Sequence, residues 1–375
     1  MAQDPDRSFS GARLYHARAF AGLSQTELGE RIAVSHQFIA YLEKGHRQPT
    51  SEVVDALGEV CGFLPSYFYG PPLEEFRDEE CHFRRRSTTP IMVRSRVLAH
   101  GTLFGQLVRY LDKRLSLPPP NVPSVRAKIP EEIERAAERC RMEWGLGRDL
   151  PIDSMTRALE NAGVVVTRLH GDAEKVDAFS RLGRRPIVVL NTDKGSASRS
   201  RFDAAHECGH LVLHGGMVTG DPEHENEADR FASALLMPRT GFVREFPRST
   251  EWPELFRCKK RWKVSVAAVV RRAYDLRLID AIQYQRAYKY ISAKGWRKGE
   301  PDEPVPEIPE MIQIAITLLR KTGTTERDLA GALGWTIATF LRVSGVQVVD
   351  EPAEEEPSTM GKVIRLVAGT AKQSR

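Results

Sequence analysis

Residues 199–214 read Arg-Ser-Arg-Phe-Asp-Ala-Ala-His-Glu-Cys-Gly-His-Leu-Val-Leu-His, and within them His206-Glu207-Cys208-Gly209-His210 matches H-E-x-x-H. On a helix, positions i and i+4 lie one above the other on the same face. The spacing therefore puts the two imidazoles where both can bind one zinc ion, with Glu207 beside them to take a proton from a water. The competing reading of the five residues alone is a solvated helix face that happens to carry two histidines. Cys208 is two positions from each histidine, points away from them, and reads as small core packing.

The flanking sequence gives the motif a setting. Residues 152–162 are predicted to be a helix, followed by three short strands at 163–169, 176–182 and 186–191, each rich in β-branched residues. A small sheet then leads into a helix over 197–213 that carries the motif, with Phe202, Ala205, Gly209 and Val212 facing the sheet. Gly209 between the histidines lets backbones approach closely and points to tight packing beside the site. A zinc site of this kind needs a third protein ligand. His214 stands roughly 12 Å along the helix axis from His206, too far for one ion, so it is expected to be structural or supporting. The helix over 222–237 offers the alternatives. Its apolar stripe is Ala228, Phe231, Ala232, Leu235 and Leu236, and Glu227 lies on the edge of that stripe. An inward carboxylate is costly unless paired or metal-bound, which favours Glu227. Glu223 and His224 share its face one turn earlier and stay open, whereas Asp229 points about 200° away. No oxyanion donor can be identified, Arg201 being one guess.

Composition sets outer bounds. The chain has 375 residues, is 41% hydrophobic and 28% charged, and carries a net charge of +5. These values fit two or three soluble globular domains. No apolar run approaches the roughly 18 residues of a membrane span, and the first residues lack the apolar core of a signal peptide. Cys61, Cys81, Cys140, Cys208 and Cys258 are scattered and never spaced as C-x-x-C, which argues against a disulfide framework or a thiolate zinc site. Reduced thiols in a cytoplasmic protein are expected.

Toward the N-terminus, Ser24 and Glu27 form a predicted capping box at the start of a short helix, with Leu28 and Ile32 inward. Ala33-Val34 make a turn, and Ser35 opens a second helix through Glu43 that buries Phe38, Ile39 and Leu42 and turns His36, Gln37, Ala40 and Tyr41 outward. Gly45 ends it, and helices over 12–21 and 51–60 flank the pair. A helix-turn-helix among short helices suggests a DNA-reading module. Six cations against eight anions give residues 1–70 a net −2, so tight binding calls for local placement of Arg and Lys and for dimer avidity.

Between the two regions, Gly70-Pro71-Pro72 breaks the chain, and an acidic block at Glu74–Glu80 adjoins Arg84-Arg85-Arg86, a phosphate contact or a self-paired linker. Residues 91–115 form a helical pattern suited to an interdomain or dimerising role, followed by the stiff spacer Leu117–Pro123 and a helix over 131–144. Pro301–Pro309 reads as a proline-acid linker. Residues 311–319 and 325–343 look helical, with Thr324–Trp335 mimicking the first half of a helix-turn-helix. An ordinary helical subdomain is favoured there over a second DNA reader. Residues 349–375 read as a mobile tail.

Two resemblances carry these readings further. Leu23-Ser24-Gln25, Leu28, Val34-Ser35, Ile39, Leu42-Glu43-Lys44-Gly45 and Pro49 resemble the XRE helix-turn-helix family. That resemblance implies binding to double-stranded DNA through Gln25 near a phosphate, Ser35, His36, Gln37 and Tyr41 at the major groove, and Arg47 on the backbone. Gly29 stands where that family usually has Ala, and Ala33 where it has the turn Gly. Ala178-Phe179-Ser180, Arg185-Pro186-Ile187, Arg199-Ser200-Arg201-Phe202, the H-E-x-x-H stretch with Leu211 and His214, Glu227-Ala228-Asp229-Arg230-Phe231-Ala232 and Leu235-Leu236-Met237-Pro238 are similar to the ImmA/IrrE metallopeptidases, as are two later stretches at 261–265 and 295–301. This resemblance implies a gluzincin-like site with His206, His210 and Glu227 on zinc, Glu207 as general base, and a protein substrate, typically a repressor.

The expected chain is multidomain and mainly α, with an α+β zincin-like domain. The expected boundaries are a DNA-binding domain at 8–70, a charged connector and helix at 71–126, a zinc metallopeptidase domain at 127–300, a helical subdomain at 301–348 and the tail. The expected function is a cytoplasmic, homodimeric transcription regulator that hydrolyses a repressor or itself. The alternative is a regulator whose metal domain is a non-hydrolytic sensor or scaffold.

Overall fold

In the computed structural model, residues 8–77, 90–169, 178–191, 195–215, 217, 221–248, 250–297 and 299–346 are described, together with the backbone at 365 and 366. The Arg84–Arg86 block, Cys81, Lys298 and most of the acidic tail lie outside the described residues. Contacts divide the chain into two compact units, one formed by Met1–Asp78, Ser87–Leu117 and Met311–Arg375, the other by Glu79–Arg86 and Pro118–Glu310.

The first unit begins with α1 (Gly11–Ala21), α2 (Gln25–Arg31), α3 (His36–Glu43) and α4 (Ser51–Cys61), then a 3-10 turn at Pro65–Tyr69 and the long α5 (Ile91–Asp112). Sequence chemistry fixes these boundaries. The Ser24 hydroxyl accepts from the Glu27 amide while the Glu27 carboxylate accepts from the Ser24 amide, closing the capping box at the head of α2. Ser35 caps α3. Leu14, Phe20, Leu28, Ile39, Leu42 and Leu57 make the shared interior, each at most 1% exposed. Helix α5 packs on α1 and belongs to this unit. A two-residue strand, β1 (Leu115–Ser116), follows it.

The second unit holds α6 (Pro130–Glu143), α7 (Met155–Asn161), β2 (Val165–Leu169), β3 (Ala178–Arg181), β4 (Ile187–Asn191), α8 (Ala197–Leu213) and α9 (Pro222–Leu236). The sheet order is β2-β4-β3, with β2 parallel and β3 antiparallel to β4. Helix α8 lies on β3 and β4, and α9 packs between α8 and α6. Four further helices, α10 (Arg239–Glu245), α11 (Trp252–Trp262), α12 (Val266–Asp275) and α13 (Ala281–Ala293), complete it.

The 301–309 segment, expected as a free linker, is docked on this second unit. Glu303 accepts from the Ser198 amide and hydroxyl at 2.8 and 2.9 Å at the head of α8. Glu307 accepts from the Thr156 amide at 2.7 Å and pairs with the Arg201 guanidinium. Carboxylates placed at unsatisfied helix N-termini are favourable both as hydrogen-bond acceptors and by the helix dipole.

The chain then returns to the first unit as α14 (Met311–Lys321), α15 (Glu326–Leu333) and α16 (Ile337–Ser344), and β5 (Arg365–Leu366) pairs antiparallel with β1. The α15–α16 pair repeats the local geometry of α2–α3. Thr325 and Asp328 form a capping box, Gly334 has a left-handed φ of 75°, and Thr336 caps α16. Ala33 sits at the equivalent turn with φ 56°. The second copy does not present a polar reading face. Thr336 and Thr339 donate to the Gly62 carbonyl at 2.8 and 2.6 Å, Arg342 donates to the Phe20 carbonyl at 2.7 Å, and Ile337 and Ala338 occupy the places of His36 and Gln37. Residues 336–342 are thus held against α1 and the end of α4. Among the described residues, no helix is long and apolar enough to cross a membrane.

Candidate metal centre

Helix α8 is capped by Ser196 and runs without a break to His214. His206, Glu207 and His210 are all at most 2% exposed. Gly209, expected to face the sheet, meets α9 instead, and the approach there is close. A Cβ there would lie 3.1 Å from the Ala228 Cα and 3.2 Å from its carbonyl oxygen.

The two histidines converge, His206 Nε2 and His210 Nε2 being 3.0 Å apart. The carboxylate that meets them is Glu225, 3.4 Å from His206 Nε2 and 3.3 Å from His210 Nε2. Three donors each about 2.0–2.1 Å from one tetrahedral ion would be spaced about 3.3 Å apart. Two imidazole nitrogens and one carboxylate at these separations therefore fit zinc in both chemistry and size.

Glu227, the ligand expected from the sequence, is not in this group. Its Oε2 accepts from His214 Nε2 at 2.8 Å. Two residues of turn separate the side chains of Glu225 and Glu227 on α9 by about 200°, so one helix cannot aim both at the same point. Asp229 was also set aside by the sequence reading, yet its Oδ1 lies 2.7 Å from His206 Nδ1. The signal that was available is the i, i+4 pair Glu225 and Asp229, which places one carboxylate against the two histidines and the next behind one of them.

Both histidines are oriented from behind, a common arrangement for imidazoles that bind metals. His206 Nδ1 donates to Asp229, leaving Nε2 free as a ligand. His210 Nδ1 lies 3.0 Å from His214 Nδ1. Because His214 Nε2 donates to Glu227, a neutral His214 accepts at Nδ1, and His210 then donates at Nδ1 and offers Nε2. His214 therefore meets His210 from behind and not at the point where the two Nε2 atoms converge.

The electrostatics follow from burial and these contacts. Burial alone would lower the His206 pKa, but hydrogen bonds to Asp229 and Glu225, with the charge of Glu207, bring it up to about 10. Burial pulls His210 down to about 4 against the opposing hydrogen bond to Glu225. Burial disfavours ionised Glu225, yet its hydrogen bonds to the two imidazoles outweigh this and lower its pKa. One proton on His206 and the Glu225 charge thus hold the cluster together. Burial raises the Glu207 carboxyl to about 8, and Glu207 Oε2 has no hydrogen-bond partner. Cys208 is fully buried with its thiol pushed well up by burial, in keeping with a packing role. Arg201 is 3% exposed and donates to the Ile152 and Asp153 carbonyls as well as pairing with Glu307, so it holds α8 in place rather than facing an oxyanion.

In the first unit, His36, Gln37 and Arg47 are exposed, as is Tyr41, and the Arg47 guanidinium lies over the Tyr41 ring at 5.9 Å. Ser35 holds the cap of α3. Gln25 is half-buried and donates to Glu43 Oε2 at 2.6 Å, while Glu43 pairs with Arg18 at 2.5 Å. Gln25 is therefore tied into the α2–α3 joint. Gly29 is needed there, since a Cβ would come within 2.7 Å of the Val34 carbonyl oxygen.

Comparison with known proteins agrees with this division. Residues 159–274 match the family model described as the IrrE N-terminal-like domain, Peptidase_M78, and residues 11–66 match a helix-turn-helix domain. The chain is also 33% identical over 70 residues to an uncharacterised HTH-type transcriptional regulator, y4wC, of Sinorhizobium fredii (strain NBRC 101917 / NGR234). That match covers 19% of this chain and 49% of the relative, so the chain spans about half the relative's length. The protein thus joins a helix-turn-helix domain at 11–66 to an IrrE N-terminal-like domain at 159–274.

Proposed function

We propose that this protein is a DNA-binding transcription regulator whose IrrE-like domain is a zinc-dependent endopeptidase acting on a protein, a repressor or the chain itself. The observation that carries the enzymatic reading is the spacing of His206, His210 and Glu225 beside the buried, unpartnered Oε2 of Glu207. Glu225 replaces Glu227 as the third ligand, and Asp229 and the Glu227–His214 pair hold the two imidazoles in register. Zinc, when bound, supplies a Lewis acid and a water of lowered pKa. Glu207 is the general base: in its ionised form the unpartnered Oε2 takes the proton of the attacking water and passes it to the leaving amine. Its burial excludes bulk solvent from that oxygen.

For the other half of the function, His36, Gln37 and Tyr41 share the exposed side of α3, where a recognition helix meets base edges in the major groove. Arg47, exposed beyond α3, is read as the contact to the phosphate backbone. The low charge of the domain favours binding as a homodimer, in which two weak contacts reinforce each other.

Metal analysis at one equivalent of zinc tests the ligand set. Wild type is expected to hold one zinc per chain, Glu225→Ala to lose it, and Glu227→Ala to keep it with affinity reduced roughly 10–100-fold, as for other residues that orient a ligand. Zinc retained by Glu225→Ala would overturn the assignment. Glu207→Gln should keep the metal and lose cleavage of neighbouring regulators or of the chain itself. Wild type that binds zinc and cleaves neither would make the domain a sensor or scaffold. A mobility shift with upstream DNA, abolished or weakened in Gln37→Ala, tests the reading helix.

A further inference from the structure

A second group of metal-ligating side chains stands behind the first. His214 closes α8, and His224 and Glu227 lie one turn apart on α9 facing it. One ligand atom from each of the three falls within 4.8 Å of the others. The His214 and His224 rings stack at 4.4 Å between centroids with planes 27° apart. His214 is 2% exposed and the other two are half-buried. His224 Nδ1 is buried without a hydrogen-bond partner, so a lone pair or proton is held there unsatisfied. Two imidazoles and a carboxylate suit zinc and its neighbours in the first transition series. None of the three belongs to the His206–His210–Glu225 group.

We propose that His214, His224 and Glu227 form a second, weaker zinc site that antagonises the first. The antagonism rests on the ligand reading of His206 and His210 and follows from proton positions on His214. While His214 supports His210, its proton is on Nε2, shared with Glu227, and its Nδ1 accepts from His210. To bind an ion through Nε2, a neutral His214 releases that proton and carries one at Nδ1 instead. His210 also carries a proton at Nδ1 whenever its Nε2 is a ligand. Two N–H groups would then face each other across a contact of 3.0 Å. One ring has to turn, and either site is weakened when the other fills. The coupling is reciprocal, so the second ion binds less tightly in the presence of the first and loosens it in return.

Zinc titration of the full chain by equilibrium dialysis, with chelator-driven release of the tight ion, tests the proposal. Wild type should bind one ion tightly and a second at higher free zinc, and filling the second should speed loss of the first about tenfold. His224→Ala should saturate at one ion, with release of that ion independent of free zinc. Glu227→Gln, which keeps an acceptor for His214 while removing the carboxylate, should likewise lose the second ion. Equal saturation in wild type and both variants would overturn the site. Two ions with unaltered release of the first would overturn the antagonism. His206→Ala separates the two readings: it should lose the tight ion and keep the second, so failure of the first site leaves the second independently measurable.

Discussion

Ala33 and Gly29 show how single residues shape the reading module. Ala33 takes φ 56°, a left-handed conformation that is strained for a residue with a Cβ, while Gly29 makes room for the Val34 carbonyl. Both departures from the XRE pattern were visible in the sequence, but only the second has a contact that explains it. Gly29→Ala should destabilise the first unit by about 1–3 kcal/mol through overpacking. Ala33→Gly should be near neutral or stabilising by up to about 1 kcal/mol. Urea unfolding of both variants checks the pair, and a tolerated Gly29→Ala would contradict the close approach. At the candidate metal centre, the shared helical placement of His206, Glu207 and His210 was legible because a five-residue motif fixes their phase. Glu225 was not, since a half-buried carboxylate at a helix edge has the same local pattern as its neighbour Glu227, and the choice depends on how α9 is rotated against α8.

At the scale of elements, the helices with clear caps appear where periodicity and capping placed them, and the three strands likewise. The segment from Glu300 to Glu310 is the exception. Its prolines and acids read as a linker, yet Glu303 and Glu307 accept from the Ser198 and Thr156 amides in the first turns of α8 and α7. Burial disfavours ionised Glu307, but the Arg201 charge and amide hydrogen bonds prevail and lower its pKa from 4.5. A depressed folded-state pKa means that the stabilisation is present above about pH 4.5 and is lost as pH falls through the lower folded value. Glu307→Gln should therefore cost about 1–3 kcal/mol at pH 7. The gap from wild type should narrow below pH 4.5. Urea unfolding followed by tryptophan fluorescence at pH 7 and pH 3 measures both, and a pH-independent gap would exclude the ion pair as the cause.

Across the whole molecule, the chain leaves its first unit after Leu117 and re-enters it at Met311. The α15–α16 pair copies the caps and turn of α2–α3 but packs on α1, the end of α4 and α5. Trp335 is 1% exposed, and its backbone bridges Phe63. Trp335→Ala should destabilise the first unit by about 3–5 kcal/mol, the usual cost of emptying a large core position. Differential scanning calorimetry should show the transition of that unit falling while the second unit keeps its own. Loss of DNA binding at elevated temperature should follow the same midpoint. The mimicry at Thr324–Trp335 was readable, but its role was not, because a capping box and a turn specify local geometry without saying which face is covered.

The sequence by itself determined the local phase of the chain: the caps, the turns, the three short strands, and a helix that brings His206 and His210 onto one face beside Glu207. These follow from interactions within a few residues. The tertiary structure decided everything that depends on which faces meet. It turned Glu225 rather than Glu227 toward the histidines, set Asp229 and His214 behind them, docked an acidic segment on the head of α8, and returned residues 311–346 to the helices at the start of the chain. The physical reason is the same in each case. A carboxylate or a helix face has no fixed partner until packing selects one, and that selection is made by contacts between residues far apart in sequence.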